Sequence, residues 1–180
     1  MTTALLLLHM QVKVVDDCGP PGVAVADRLV GAAKAARANG VPVIHVRLAY
    51  RKGLVDAHPP VGPYAHAFED GQPGAEIVAS LWADGDLVVD NKRASAFVGS
   101  GLDVLLSALG VDHVVLTGIG TGGVVLATAI DCADRDFQVT VPSDGCDDPR
   151  PGGLHQALLD HVIGLRAAVP TIEEWIATLG

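Results

Sequence analysis

Leu116-Thr117-Gly118-Ile119-Gly120-Thr121-Gly122-Gly123-Val124-Val125-Leu126-Ala127-Thr128-Ala129 is the stretch from which the architecture can be read. The apolar run Val114–Leu116 stops at a knot of small residues and restarts as a helix-compatible segment near Thr121. A strand that feeds a helix through Gly118, Gly120, Gly122 and Gly123 lets backbone N–H groups converge on whatever lies at the helix N-terminus, where the dipole favours negative charge. Glycine allows that approach because it carries no Cβ. The same residues also fit a tight βα turn whose glycines only help the helix pack.

Outward from this stretch, short apolar runs alternate with helical spacing. Leu5–Leu8, Val43–Val46, Leu87–Val89, Val114–Leu116 and Val139–Val141 read as buried strands, with Val169 as the start of a short sixth. Between them, Val25, Leu29, Val30, Ala33 and Ala36 keep helical spacing up to Asn39-Gly40, and helices are expected at 102–109, 121–133, 154–167 and 172–179. This alternation predicts an α/β fold: a three-layer, Rossmann-like sandwich of five or six mostly parallel strands with helices on both faces. Residues 1–180 read as one domain, because the length suits one full core and is short for two. The 49% hydrophobic content rules against disorder, and the 4% aromatic content suits Ala-rich helices packed closely on a parallel sheet. From Leu48 to Gly74 periodicity is lost and Pro59, Pro60, Pro63 and Pro73 appear. A loop of that length is expected to act as a lid.

Net charge is −9 with no Lys/Arg cluster, which argues against nucleic-acid and anionic-membrane partners. The opening apolar run lacks the basic flank and length of a signal peptide, and no segment reaches membrane-spanning length, so a cytoplasmic location is expected. Cys18, Cys132 and Cys146 are odd in number and have no metal-ligand spacing, as free thiols would.

The glycine-rich stretch resembles the G-(V/I)-x-T-x-x-C-V-x-x-T segment of the isochorismatase-like hydrolases, the cysteine hydrolase superfamily. Ala4-Leu-Leu-Leu-Leu-His9-Met10-Gln11 is similar to the family's opening A-L-L-V-I-D-M-Q. Val88-Val89-Asp90-Asn91-Lys92-Arg93-Ala94-Ser95-Ala96-Phe97 is similar to its V-V-x-K-x-x-x-S-A-F. Order and spacing agree over nearly the whole chain. The family's triad is an Asp closing the first strand, a Lys after the third and a nucleophilic Cys opening the helix after the fourth. On this reading His9, Lys92 and Val124 stand there, so only the Lys is kept. Valine has no nucleophile, which excludes thioester chemistry at that position.

Ligands of open parallel sheets bind beyond the carboxyl ends of the strands, and His9, Lys92 and the 118–124 turn all follow strands at that edge. Lys92 is expected to face His9 and to lower its pKa, leaving a neutral imidazole that can take a proton from water. Arg93 reads as a solvated neighbour. The N–H groups of Gly120 and Val124 would form an oxyanion hole, with Gln11, Thr121, Gly122 and Gly123 lining the site. The resemblance further implies a cis peptide at Ile119–Gly120 and a homodimer or homotetramer. Thr121 is expected to cap its helix. Without the family's carboxylate the pocket should prefer small carboxylate-bearing substrates.

His45-Val46-Arg47 lacks the D-x-H pattern by which related nicotinamidases hold a metal, so neither metal nor cofactor is expected. His58 and His66 could reach the pocket from the loop. Cys146 reads as a small buried thiol. These readings favour a hydrolase cleaving an amide, ester or enol ether without a cysteine. They leave open a lyase, isomerase or cyclase using His9, or a ligand-binding relative without activity.

Overall fold

The computed structural model describes residues 1–59, 62–150 and 152–180. Its strands are β1 (Thr3–Leu8), β2 (Val43–Leu48), β3 (Leu87–Asn91), β4 (His113–Ile119), β5 (Gln138–Thr140) and β6 (Cys146–Asp147). Every pairing among them is parallel, in the order β3-β2-β1-β4-β5, with β6 on the far end of β4. β1 and β4 are central and must be apolar on both faces, which explains their unbroken aliphatic runs. Successive side chains then leave by opposite faces. Leu6, Leu8, Val114 and Leu116 enter one core, and Leu5, Leu7 and Val115 enter the other. Each fully buried Leu contributes on the order of 2 kcal/mol.

Helices α1 (Val12–Cys18), α2 (Pro20–Ala38) and α6 (Ile172–Ala177) cover the second core, and α3 (Leu102–Ala108), α4 (Leu126–Asp134) and α5 (Leu154–His161) cover the first. α2 presents Val25, Leu29, Ala32, Ala33 and Ala36 to the sheet, and the alanines let it lie close. α6 starts with a capping box in which Thr171 and Glu174 satisfy each other's backbone N–H groups. The expected α/β architecture, with helices on both faces, is the one observed.

Four details differ from the sequence reading. α1 is an added helix, separated from α2 only by Gly19 at φ +66°. The strands run further than their apolar cores, and β4 continues through Thr117, Gly118 and Ile119. The sixth strand is Cys146–Asp147 rather than a segment at Val169; Ala168 makes a single bridge to Thr140. The helix after β4 does not start cleanly at Thr121. A wide turn, Thr121–Val125, precedes α4, and Gly123 within it has φ −118° and ψ −106°.

The described residues of the 48–74 segment are packed rather than loose. Tyr50, Leu54 and Phe68 form a small core of their own, and Tyr50 exchanges backbone bonds with Phe68 and Asp70 at 2.8 Å each. Pro60 and Val61 of this loop, and Pro151, lie outside the described residues. No helix among the described residues is long and apolar enough to cross a membrane.

At the opposite edge of the sheet, the buried carboxylate of Asp86 holds the second layer in place. It accepts from Arg37 Nη2 (2.6 Å), His45 Nε2 (2.8 Å) and the Ala83 N–H (3.1 Å). Burial pushes this carboxyl up, but the bonds from Arg37 and His45 outweigh it and hold it below the ordinary range. Asp86→Asn removes the charge and leaves a half-buried guanidinium underpaired. It is expected to cost about 2–3 kcal/mol, read as a lower urea midpoint at unchanged slope.

Candidate active site

β1 ends in His9, whose φ of +53° is unusual for a residue with a Cβ. His9 keeps its backbone N–H on Val46 (2.8 Å) and sends its imidazole past the end of β2 to Asn91, the last residue of β3. Asn91 is fully buried. Its Nδ2 donates to the carbonyls of Arg93 (2.8 Å) and Ser95 (3.2 Å), so Oδ1 is the atom left to face His9 Nε2 at 3.0 Å. An amide oxygen only accepts, so Nε2 carries the proton and Nδ1 is the basic nitrogen. Among the described residues Nδ1 has no hydrogen-bond partner, and His9 is one of the residues lining a cavity.

The pKa of this imidazole is lowered to about 4. Burial is the main cause, and the Asn91 bond opposes it. The direction agrees with the sequence reading, but the cause does not. Lys92 is not the partner of His9. Its ammonium donates to the Ala49 carbonyl and lies 3.9 Å from the Asp56 carboxylate. The reason is the two-residue period of an extended chain, which sends neighbours in opposite directions. With Asn91 turned to His9, the Lys92 ammonium goes to Ala49 and Asp56 instead.

A cavity of about 370 Å³ opens over these groups, the size of a small-molecule site. His9, Lys92, Arg93, Gly120, Gly123 and Val124 line it, with Tyr50, His58, Tyr64 and Phe68 from the long loop. Its described wall holds two cations and no Asp or Glu. Arg93, expected in solvent, is half-buried here, and its Nη1 donates to the carbonyls of Asp56 (2.9 Å) and Lys92 (2.6 Å).

Three residues expected to line the site are turned elsewhere. The Gln11 amide is fully buried and joins strand end to loop, accepting from the Leu48 N–H (2.8 Å) and donating to Leu48 (3.0 Å) and Ala75 (2.8 Å) carbonyls. Thr121 is buried too; its hydroxyl pairs with His155 Nδ1 at 2.8 Å instead of capping a helix. The Gly122 N–H is taken by Asp148 Oδ2 at 2.7 Å. The negative charge drawn to this turn is therefore the protein's own. Burial pushes the Asp148 carboxyl up, but the bonds from Arg150 and Gly122 hold it below the usual carboxylate range. The Gly120 N–H is also engaged, donating to the Asp147 carbonyl at 2.8 Å, so it is not available to an oxyanion.

Cys132 and Cys146 are buried and pushed up to about 12, so neither supplies a thiolate at neutral pH. Burial raises half-buried Cys18 too, with help from Asp147 and Asp148. His58 lines the cavity, whereas His66 lies 3.8 Å from Glu69. Among the described residues no three His, Cys, Asp or Glu side chains gather as a metal site. Sequence reasoning missed Asn91, Arg93 and the Asp148 plug. Only Asn91 carried a signal in the sequence, as a polar residue closing an apolar strand.

The chain has counterparts among known proteins. The chain is 31% identical over 144 residues to the maleamate amidohydrolase of Pseudomonas putida, covering 78% of this chain and 67% of the relative. It is 27% identical to the isochorismatase family protein YecD of Escherichia coli O157:H7, covering 99% and 96%. A solved isochorismatase family protein from Burkholderia thailandensis superposes with a TM-score of 0.88 at 27% identity, covering 99% of this chain and 95% of that one. The profile of the Isochorismatase domain matches residues 3–174. With that match running from β1 through the site and into α6, the chain belongs to the isochorismatase family.

Proposed function

We propose that this protein hydrolyses a small, carboxylate-bearing amide by direct attack of water, with no covalent intermediate. The observation that carries the reading is the His9–Asn91 pair, which leaves Nδ1 as the basic nitrogen of a residue that lines the cavity. Counting V-V-x-K-x-x-x-S-A-F from Val88 puts its Lys at Asn91, one residue before Lys92. Asp, Lys and Cys of the family's triad are then all exchanged, for His9, Asn91 and Val124. The base strength survives the exchange: an imidazole held at about 4 has the proton affinity of an ordinary carboxylate, near 3.9. The charge does not survive. The site has lost an anion while Lys92 and Arg93 remain at its wall, which favours a substrate that brings its own carboxylate. The maleamate amidohydrolase that the chain resembles takes, by its name, an amide of that kind.

In this mechanism His9 Nδ1 removes a proton from water as its oxygen attacks the acyl carbon. The carbonyl π pair moves to oxygen, facing the Val124 N–H. Collapse expels the amine, which takes the proton back from Nδ1. Asn91 acts as a positioning residue, holding the proton on Nε2.

Maleamate and succinamate are the substrates for the test. Ammonia release is expected, with one solvent oxygen in the product carboxylate and no inhibition by iodoacetamide. His9→Ala should lower the rate at least about 100-fold, measured on folded protein, with only a modest fall in melting temperature from Ala at a positive φ and from Asn91 Oδ1 left without its donor. The active form is unprotonated, so the rate should fall about tenfold per unit as pH drops below about 4 and be flat from about 5 to neutrality. Absence of turnover on a panel of carboxylate-bearing amides, or full activity in His9→Ala, overturns the reading.

A further inference from the structure

We infer that Arg93 is the residue that selects the ligand, gripping a carboxylate with the side of its guanidinium that the protein leaves unused. The inference rests on the cavity being the substrate site, and it names the group that reads the substrate's charge. Nη1 is fixed by the Asp56 and Lys92 carbonyls, so the fork is anchored before any ligand arrives. Nε and Nη2 have no hydrogen-bond partner among the described residues, and Arg93 lines the cavity. Two parallel N–H groups on a pre-set plane match the two oxygens of a carboxylate, and little side-chain freedom remains to be lost on binding.

Lys92 is a poorer candidate for this role. Its ammonium already serves the Ala49 carbonyl and the neighbouring Asp56 carboxylate. Asp56 itself is absent from the cavity wall, so no fixed anion there competes for the fork. The same wall carries apolar and aromatic residues (Leu48, Tyr64, Phe68, Val124), which suit the short carbon stem of a small acid.

The test measures equilibrium binding at pH 7 with two isosteres that offer nothing to hydrolyse, levulinate and the neutral hexane-2,5-dione. Wild type should bind levulinate at least about tenfold tighter than the dione. In Arg93→Ala the two affinities should come within about twofold, mainly through loss of levulinate binding, and Arg93→Lys should regain part of the preference. If Arg93 only straps the loop, its removal weakens both ligands alike and the preference persists. That outcome overturns the inference, as does a wild type without preference. Because no turnover is read, absence of hydrolysis would sink the proposed function and leave this inference standing.

Discussion

Gly118→Ala is expected to destabilise the fold severely, although it adds a single methyl group. Gly118 is a strand residue of β4, paired with Leu8 of β1 on one side and Cys146 of β6 on the other. Its φ of +131° reverses the usual direction of a side chain. A Cβ there points within the sheet toward β1, inside the van der Waals shell of the Leu8 carbonyl oxygen and 2.9 Å from the Leu8 nitrogen. These neighbours are backbone and cannot rotate away. Relief requires β1 and β4 to part at the point where both cores meet. Backbone strain, overpacking and lost ladder bonds together should cost at least about 4 kcal/mol, a fall of about 10 °C or more in Tm. Gly123→Ala is the matched control. A Cβ at Gly123 meets nothing within 4 Å, so a substitution there tests the methyl group without backbone atoms to displace, and any loss should be far smaller than at Gly118. Urea unfolding followed by far-UV circular dichroism separates the two. Similar stabilities would mean that Gly118 is not a packing requirement of the sheet.

That contrast shows what could be read from the residues alone. The glycine-rich stretch marked the right place, and central parallel strands announce themselves because both faces must be apolar. What the stretch did not reveal was the purpose of each glycine: one lets two strands approach, another opens a cavity wall. The extra helix α1 was hidden because seven residues give periodicity too little room, and the Gly19 that ends it also begins α2. The site suffered most from register. Asn91 and not its neighbour Lys92 faces His9, and in an extended chain one residue reverses the side chain. The Gly120 N–H, the Asp148 carboxylate and the Arg93 anchor depend on partners 27, 26 and 37 positions away, and no local pattern reports such pairings.

If the proposed exchange at positions 9 and 91 holds, the two should behave as one unit whose hydrogen-bond polarity is the reverse of the family pattern. In that pattern, an acceptor (Asp) stands at the first position and a donor (Lys) at the second. Here the donor is His9 Nε2 and the acceptor Asn91 Oδ1. Asn91 cannot simply turn over, because its Nδ2 is committed to the Arg93 and Ser95 carbonyls. His9→Asp alone therefore sets a carboxylate against an amide oxygen, although its backbone is tolerable because Asp, like His, enters the left-handed region more readily than most residues. Asn91→Lys alone aims an ammonium at an N–H. Together the two substitutions make an ion pair. A double-mutant cycle on unfolding free energy should give a favourable coupling of about 2 kcal/mol, with the double variant more stable than the single effects sum to. Adding Val124→Cys should then bring maleamate hydrolysis that iodoacetamide blocks, in contrast to the iodoacetamide-resistant activity expected of the unmodified chain. The partial restoration His9→Asp with Val124→Cys should gain little, because its acid still faces Asn91. If the cycle shows no coupling, residues 9 and 91 are independent, and the reversed-pair account of this site fails whatever the activity of the triple variant.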